Sequence, residues 1–402
     1  PSRRDLVRAC LRANEKHLIN RFPVLKELVG MARCGERDPY SAMYFSDQFL
    51  VDLLVWYHLG WMGEGARQDD LRVRSLEAKE RGFGNDDRRR LVQAIGDQMA
   101  ALLARYRRLA EQGRVELSVT PYAHPIMPLL LDLQSARESM PETALPELTA
   151  YPGGGARSRW HIRRGVEVFE SFFGLRPTGC WPAEGGVCEE TLRLLEEEGF
   201  AWAASGQQVL HNSLSASAKG EPLPPAWLHS PYRVREGKLN CFFRDDGLSD
   251  LIGFTYSDWH ADDAVQNLIQ HLETIAEAQG DDPDAVVSII MDGENAWEYY
   301  PVNGSYFLSA LYSRLAAHPN LELTTFSGHI EAQRAKPPAL DRLVAGSWVY
   351  GTFSTWIGDP DKNRAWDMLG EAKAVYDRVL AAGSLTPEHQ QAAELQLSVC
   401  EG

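Results

Sequence analysis

Apolar positions in the first hundred residues recur at helical spacing. In "RRDLVRACLRANEKHLI" the residues Leu6, Cys10, Leu11 and Leu18 fall on one helical face. "DQFLVDLLVWYHLGWM" is a second apolar stretch, rich in aromatics, and polar breaks at Gly35–Asp38 and Gly63–Asp70 separate these segments. A long amphipathic helix is predicted near Asp86–Gln112. Its apolar stripe is Val92, Ile95, Met99, Leu102, Leu103, Tyr106 and Leu109, and Gly113 serves as its stop.

The pattern then changes. "RVELSVT" alternates Val115, Leu117 and Val119 and reads as a strand. A loop through "YPGGGARS" leads to a helix around Trp160–Phe173, then come "TGCWPAEGG", the helical "CEETLRLLEEEGF" and the strand "FAWAAS". Strand, loop, helix and strand in this order outline a βαβ unit. A Ser- and Pro-rich loop spans His211 to Pro231, followed by "KLNCFFRDDGLSDLIGFTYS" and a helix over Ala261–Gln279. "AVVSIIM" is the most evenly apolar run and reads as a strand buried on both faces, the habit of parallel sheets covered by helices. A helix over Tyr306–Ala317, the strand "LELTTFS" and amphipathic helix from about Asp359 complete the chain. Alternation of this kind predicts an α/β fold, a parallel barrel or a doubly wound sheet, with chemistry in the loops at the carboxyl ends of strands.

Composition narrows the function. The apolar fraction is 44% and the charged fraction 24%, which are ordinary globular values with a sizeable core. A formal net charge of −15 argues against nucleic acid or anionic membranes as partners. No stretch reaches the roughly 20 apolar residues of a membrane span, and no signal-peptide pattern opens the chain. Cys10, Cys34, Cys180, Cys188, Cys241 and Cys400 are scattered without zinc-ribbon spacing and read as reduced thiols of a cytoplasmic protein.

Three strand ends carry candidate chemistry. "TPYAHP" follows Glu116 and brings His124, which taken alone is a loop histidine between prolines. "GCWPAEGG" brings Trp181 and Glu184, and a glutamate there also suits the positive end of the following helix. "MDGENAWE" brings Asp292, Glu294 and Trp297 to the end of the apolar run, although Asp-Gly by itself marks a tight turn. A carboxylate is costly to bury without a partner or a task. Aromatic faces pack on sugar rings, so the three strand ends together point to glycoside hydrolysis, in which two carboxyl groups flank the scissile bond.

At this level the chain resembles glycoside hydrolase family 57. "GCWPAEGGVCEETLRLLEEEGFAWAASG" and "VVSIIMDGENAWEYYPVNGSYFLSALYSRL" are similar to two of its signature regions, and "GRVELSVTPYAHPIMPLL" to a third. "CFFRDDGLSDLIGFTYSDW" and "GSWVYGTFSTWIGDPDKNRAWDML" are similar to stretches of its amylopullulanase-like branch, so the resemblance runs from about Asp47 to Met368. It implies an incomplete (β/α)7 barrel followed by helices, and a retaining mechanism on α-glucans with no cofactor and no essential metal. It assigns Glu184 as nucleophile, Asp292 as general acid/base and His124 as a substrate-binding residue. Trp181, Glu294, Trp297 and Trp356 match sugar-contact or supporting positions, and Arg244, Asp245 and Asp250 match ion pairs that support the site. The family includes α-amylases, amylopullulanases, glucanotransferases, branching enzymes and some α-galactosidases, so transfer stands beside hydrolysis.

The resemblance divides the chain into a helical segment over 1–112, a barrel core over 113–335 and a helical region over 336–402. About five barrel-type strands are expected, ending near Thr120, Trp181, Ser205, Met291 and Phe326. The family's "HQP" signature does not occur in the sequence. The expectation is that the first two barrel strands lie upstream of Pro1, which at roughly 30 residues per βα unit makes roughly 60 residues. Two readings of other classes compete: a metal-dependent sugar deacetylase using His124, Asp292 and His329, and a glucan-binding protein without catalysis.

Overall fold

The structure is a computed structural model. It describes residues 2–37, 40–218, 221–223, 226–280 and 282–402, with all side chains except those of Glu36, Arg37, Ser41 and Asn295. The chain divides into two compact units. The first is formed by Pro1–Arg105, Asp250–Gln270 and Met291–Asn320, and the second by Tyr106–Ser249, His271–Ile290 and Leu321–Gly402.

The first unit is helical. Ser2 caps the helix Arg3–Cys10 by accepting from the Asp5 N–H, while the Asp5 carboxylate accepts from the Ser2 N–H in return. "DQFLVDLLVWYHLGW" forms the helix Asp47–Trp61, opened by Ser46, whose hydroxyl accepts from the Phe49 N–H. Leu25, Leu28, Leu53, Trp56, Leu59, Leu76 and Phe83 make the core of this unit. Asp52 is buried among them and accepts hydrogen bonds from the Gly82 and Phe83 N–H groups and from Gln48 Nε2, so a buried carboxylate here ties down a turn.

The predicted long helix forms over Asn85–Glu111, but its stripe is not a core face. Leu91 and Ala94 are buried, whereas Val92 is 68% and Met99 71% exposed, and Leu102, Leu103 and Tyr106 are exposed too. Helical periodicity identifies an apolar face without identifying the element that covers it.

The second unit carries the sheets. Strand β1 is Gly179–Cys180, β2 Trp202–Ser205, β3 Arg233–Val234, β4 Asn240–Phe243 and β5 Ala339–Leu340. β1, β2 and β4 form a parallel sheet in that order, with Gly179 opposite Trp202 and Ser205 opposite Phe243; β3 and β5 form a separate parallel pair. Every residue of β2 and β4 is buried, as expected of strands covered on both faces. Cys180, Ala203, Cys241, Phe243, Leu194, Leu195, Val209 and Leu210 share one core cluster; Trp202, Ala204 and Phe242 form another with Phe326. Helices alternate with these parallel strands, which makes the unit α/β.

Several expected strands differ. "RVELSVT" contributes one parallel bridge, Val119 to Cys180, beside β1. "AVVSIIM" joins no ladder among the described residues: the Val286 N–H donates to the His229 carbonyl, the Asp245 N–H donates to the Ser288 carbonyl, and the Ile290 N–H meets the Ser249 hydroxyl. "LELTTFS" pairs with nothing among the described residues, and Thr325 instead caps the helix Phe326–Ala332. The third strand of the sheet is Asn240–Phe243, which lies outside the five predicted strand ends. Apolar and β-branched composition favours extended backbone, but a ladder also needs a neighbour in register. The loop predicted from His211 is in fact helical up to Ala218, within the helix Gln207–Ala218. All six cysteines are unpaired. Among the described residues no helix is long and apolar enough to cross a membrane.

Candidate active site

Glu184 sits in the loop that leaves the carboxyl end of β1. Pro182 starts a single tight turn, Ala183–Gly185, in which Glu184 adopts φ 54° and ψ 26°. Left-handed backbone costs a non-glycine residue about 1–2 kcal/mol, so something must hold it. The turn is fixed from both sides: the Ser205 hydroxyl, at the end of β2, donates to the Gly185 carbonyl at 2.6 Å, and the Trp348 N–H donates to the Glu184 carbonyl at 3.1 Å.

The side chain is held as firmly. His124 Nε2 lies 3.0 Å from Glu184 Oε1, and Trp348 Nε1 donates to Oε2 at 3.0 Å. Each carboxylate oxygen thus faces one ring nitrogen. About a third of the Glu184 side chain and half of the His124 side chain remain exposed, so the group is fixed and still reachable by a ligand. Ala123 and His124 themselves have φ of 60° and 67°. Three residues of one small site, Ala123, His124 and Glu184, are therefore in left-handed backbone.

Trp348 is the residue that sequence reasoning missed. Its indole meets Trp181 edge-on, with ring centroids 5.1 Å apart, and the Arg244 guanidinium lies 5.6 Å from its ring. Gly206 lets it approach, because a Cβ there would fall 2.5 Å from the Trp348 Cα. Trp348 lies in the "GSWVYG" stretch, where Gly346 marks a close backbone passage, eight residues before the Trp356 that the resemblance singles out. Trp356 is partly buried against the cluster of Leu129, Phe353 and Trp366, and its carbonyl accepts from the Trp366 indole.

Arg244 and Asp245 lie directly after β4. Arg244 is buried and donates to the Ile290 carbonyl at 2.7 Å and to Asp246 at 2.7 Å. Asp245 meets His229 Nε2 at 3.2 Å and accepts from the Leu248 N–H. Burial pushes the Asp245 carboxyl up, but the hydrogen bonds from His229 and Leu248 outweigh it and bring it below the usual range. Arg244 thus joins Trp348 to the 285–290 segment, and the Asp245 N–H holds the same segment at Ser288.

Asp292, Glu294 and Trp297 belong to the first unit. Asp292 is the exposed N-cap of the one-turn helix Gly293–Ala296, and Glu294 in that turn is exposed. Trp297 is half-buried and packs with Tyr300 and Phe307 at centroid distances of 5.3 and 6.4 Å. His329 of the second unit is buried, edge-on to Phe242. Among the described residues no group of three or more His, Cys, Asp or Glu side chains is placed to hold a metal ion.

Residues 42–343 match the model of a family described as Glycosyl hydrolase family 57. No curated protein matches the chain. Among solved structures, a GH57-type branching enzyme from Pyrococcus horikoshii superposes with a TM-score of 0.58 at 15% identity, over 94% of this chain and 78% of that one. A GH57 branching enzyme from Thermococcus kodakaraensis gives 0.56 at 14% identity, over 92% and 74%. An α-amylase from Thermotoga maritima gives 0.54 at 13% identity, over 85% and 71%. At such identities the likeness speaks for the fold. The family model matches the greater part of the sequence, and on that ground the chain belongs to glycosyl hydrolase family 57.

Proposed function

We propose that the protein is a retaining α-glycoside hydrolase of α-glucans such as starch, glycogen or maltodextrin, with Glu184 as nucleophile and Asp292 as general acid/base. The observation that carries this reading is the hold on Glu184. One oxygen accepts from the Trp348 indole N–H, which can only donate, and the other lies against His124 Nε2, so both oxygens are fixed in the way a nucleophile requires. Attack by Glu184 on the anomeric carbon forms a glycosyl-enzyme ester as the glycosidic bond breaks. Asp292 gives its proton to the leaving oxygen, then takes one from the water that hydrolyses the ester. His124 and Trp348 orient the nucleophile, and Trp181 offers an aromatic surface to the sugar. Unpaired cysteines suit a reducing compartment, in keeping with a cytoplasmic enzyme.

The same intermediate serves transfer when a sugar hydroxyl replaces water. Branching and 4-α-glucan transfer are therefore the alternative outcome of the same chemistry.

The test uses alanine variants of both carboxylates with azide as external nucleophile. Glu184→Ala should release the glycosyl azide of inverted anomeric configuration, and Asp292→Ala that of retained configuration, as read by NMR. Swapped anomers would reverse the two roles. Full activity in both variants would place the site elsewhere, and activity abolished by a chelator would favour the metal-dependent deacetylase. The products from maltooligosaccharides separate hydrolysis from transfer.

A further inference from the structure

We propose that Glu401, in the last helix Pro387–Glu401, is a positioning residue for the Glu184 carboxylate, acting through His161, the Tyr122–His124 loop and the His124 ring. This rests on the reading of Glu184 as the reacting group. The chain of contacts is continuous and lies within the second unit. Glu401 is buried, and its oxygens accept from Tyr151 Oη at 2.6 Å, Arg157 Nε at 2.9 Å, Arg157 Nη2 at 2.7 Å and His161 Nε2 at 2.8 Å. His161 is fully buried in the helix Gly154–Phe173, and its other nitrogen, Nδ1, lies 2.6 Å from the Tyr122 carbonyl. The Tyr122 N–H returns a bond to the His161 carbonyl at 2.9 Å.

The His161 ring is thus clamped between two oxygens, the Glu401 carboxylate at Nε2 and the Tyr122 carbonyl at Nδ1. Arg157, which pairs with both Glu401 and Glu394, fixes the carboxylate in turn. Replacing the Glu401 carboxylate therefore loosens the contact that sets the orientation of the His161 ring. The hydrogen bond to the Tyr122 carbonyl is then no longer secured.

That carbonyl opens the strained segment. Ala123 and His124 follow it in left-handed backbone, a conformation that persists only where its surroundings over-determine it. Gly402 supplies the second restraint, since a Cβ there would fall 1.6 Å from the Ala123 carbonyl oxygen. Backbone held in this way aims His124 Nε2 at Glu184 Oε1. A nucleophile displaced by about 1 Å can lose about a hundredfold in rate, so a remote carboxylate can govern it.

The test compares the full chain with Glu401→Gln, which keeps the shape and removes the charge, on maltooligosaccharides at a temperature where both are folded. The expected result is a fall in kcat of about tenfold or more with KM within about twofold. Glu388→Gln, exposed on the same helix, should match the wild type. Imidazole 15N spectra should show a His124 Nε2 resonance that moves in Glu401→Gln as it does in Glu184→Gln. An unchanged kcat, or a loss confined to KM, overturns the proposal. If Glu401→Gln does not fold, Tyr151→Phe removes one of the hydrogen bonds to Glu401 and should lower kcat by about threefold; no fall overturns it. A wild type inactive on every α-glucan defeats the catalytic reading of Glu184. Positioning is then decided by the His124 resonance alone, and an unmoved resonance in Glu401→Gln overturns it.

Discussion

Glu184, Ala123 and His124 each carry a backbone conformation that costs about 1–2 kcal/mol outside glycine, and they meet at one hydrogen bond. Strain concentrated there is sustained by Trp348, which binds both the carbonyl and a carboxylate oxygen of Glu184. Trp348→Phe keeps the aromatic wall beside Trp181 but removes the indole donor. Loss of one such bond to a charged group is worth about 1.5–3 kcal/mol, so kcat should fall about ten- to a hundredfold with a small change in KM. Steady-state kinetics check this, and a variant as fast as the wild type would show that the indole N–H does not serve Glu184. The His124–Glu184 pair was legible in the sequence because "TPYAHP" and "GCWPAEGG" are each local, a loop directly after a strand. Trp348 was not legible: it reaches Glu184 from 164 positions further along the chain, and only the close approach over Gly206 brings it there.

At the level of elements, the sequence announces a strand well when both of its faces are buried by near neighbours in the chain. "FAWAAS" sits between β1 and β4, and small or aromatic residues fill both faces. It announces a strand poorly when pairing depends on distant segments. "AVVSIIM" has the composition of a buried strand, yet its backbone is satisfied by the His229 carbonyl, the Asp245 N–H and the Ser249 hydroxyl. Periodicity likewise found the helix Asn85–Glu111 but not the exposure of its stripe, because burial belongs to the partner and not to the pattern. The seam between the end of β2 and the Trp348 loop gives a test at this scale. Gly206→Ala would press a methyl group on the Trp348 backbone, which unlike a side chain cannot rotate away. The loop must shift and take the indole with it. On the proposed role of Glu184, activity should drop by about a hundredfold, the cost of roughly 1 Å at a reacting group, while circular dichroism still reports a folded chain. Wild-type activity in a folded Gly206→Ala would mean that the loop yields without moving the indole.

Over the whole molecule, a net charge of −15 makes protonation on the acid side a relief of self-repulsion, and buried paired carboxylates oppose that relief. Glu401 is the strongest of these. Burial alone would raise its carboxyl, but hydrogen bonds from His161, Arg157 and Tyr151, together with the Arg157 charge, bring it from 4.5 down to about 2. A carboxyl depressed by folding contributes stability that is fully present above its unfolded value and is lost as pH falls toward the folded one. Glu116, held by Ser327, Trp202 and Thr178 against its own burial, and Asp245 act in the same direction. His58 and His329, kept below their usual value by burial, also favour the folded chain less as pH drops below 6.5. Comparing the wild type with Glu401→Gln cancels these shared contributions and the self-repulsion. The Glu401 contribution is on the order of 3 kcal/mol, so the variant should be less stable by about that amount above pH 5. The gap should narrow from about pH 4.5 downward, be small near pH 2 and vanish below it, where Glu401 is protonated in both states. Urea unfolding of the two chains from pH 3 to pH 7 measures it. A gap that stays constant below pH 4.5 would mean that Glu401 contributes by shape and not by charge.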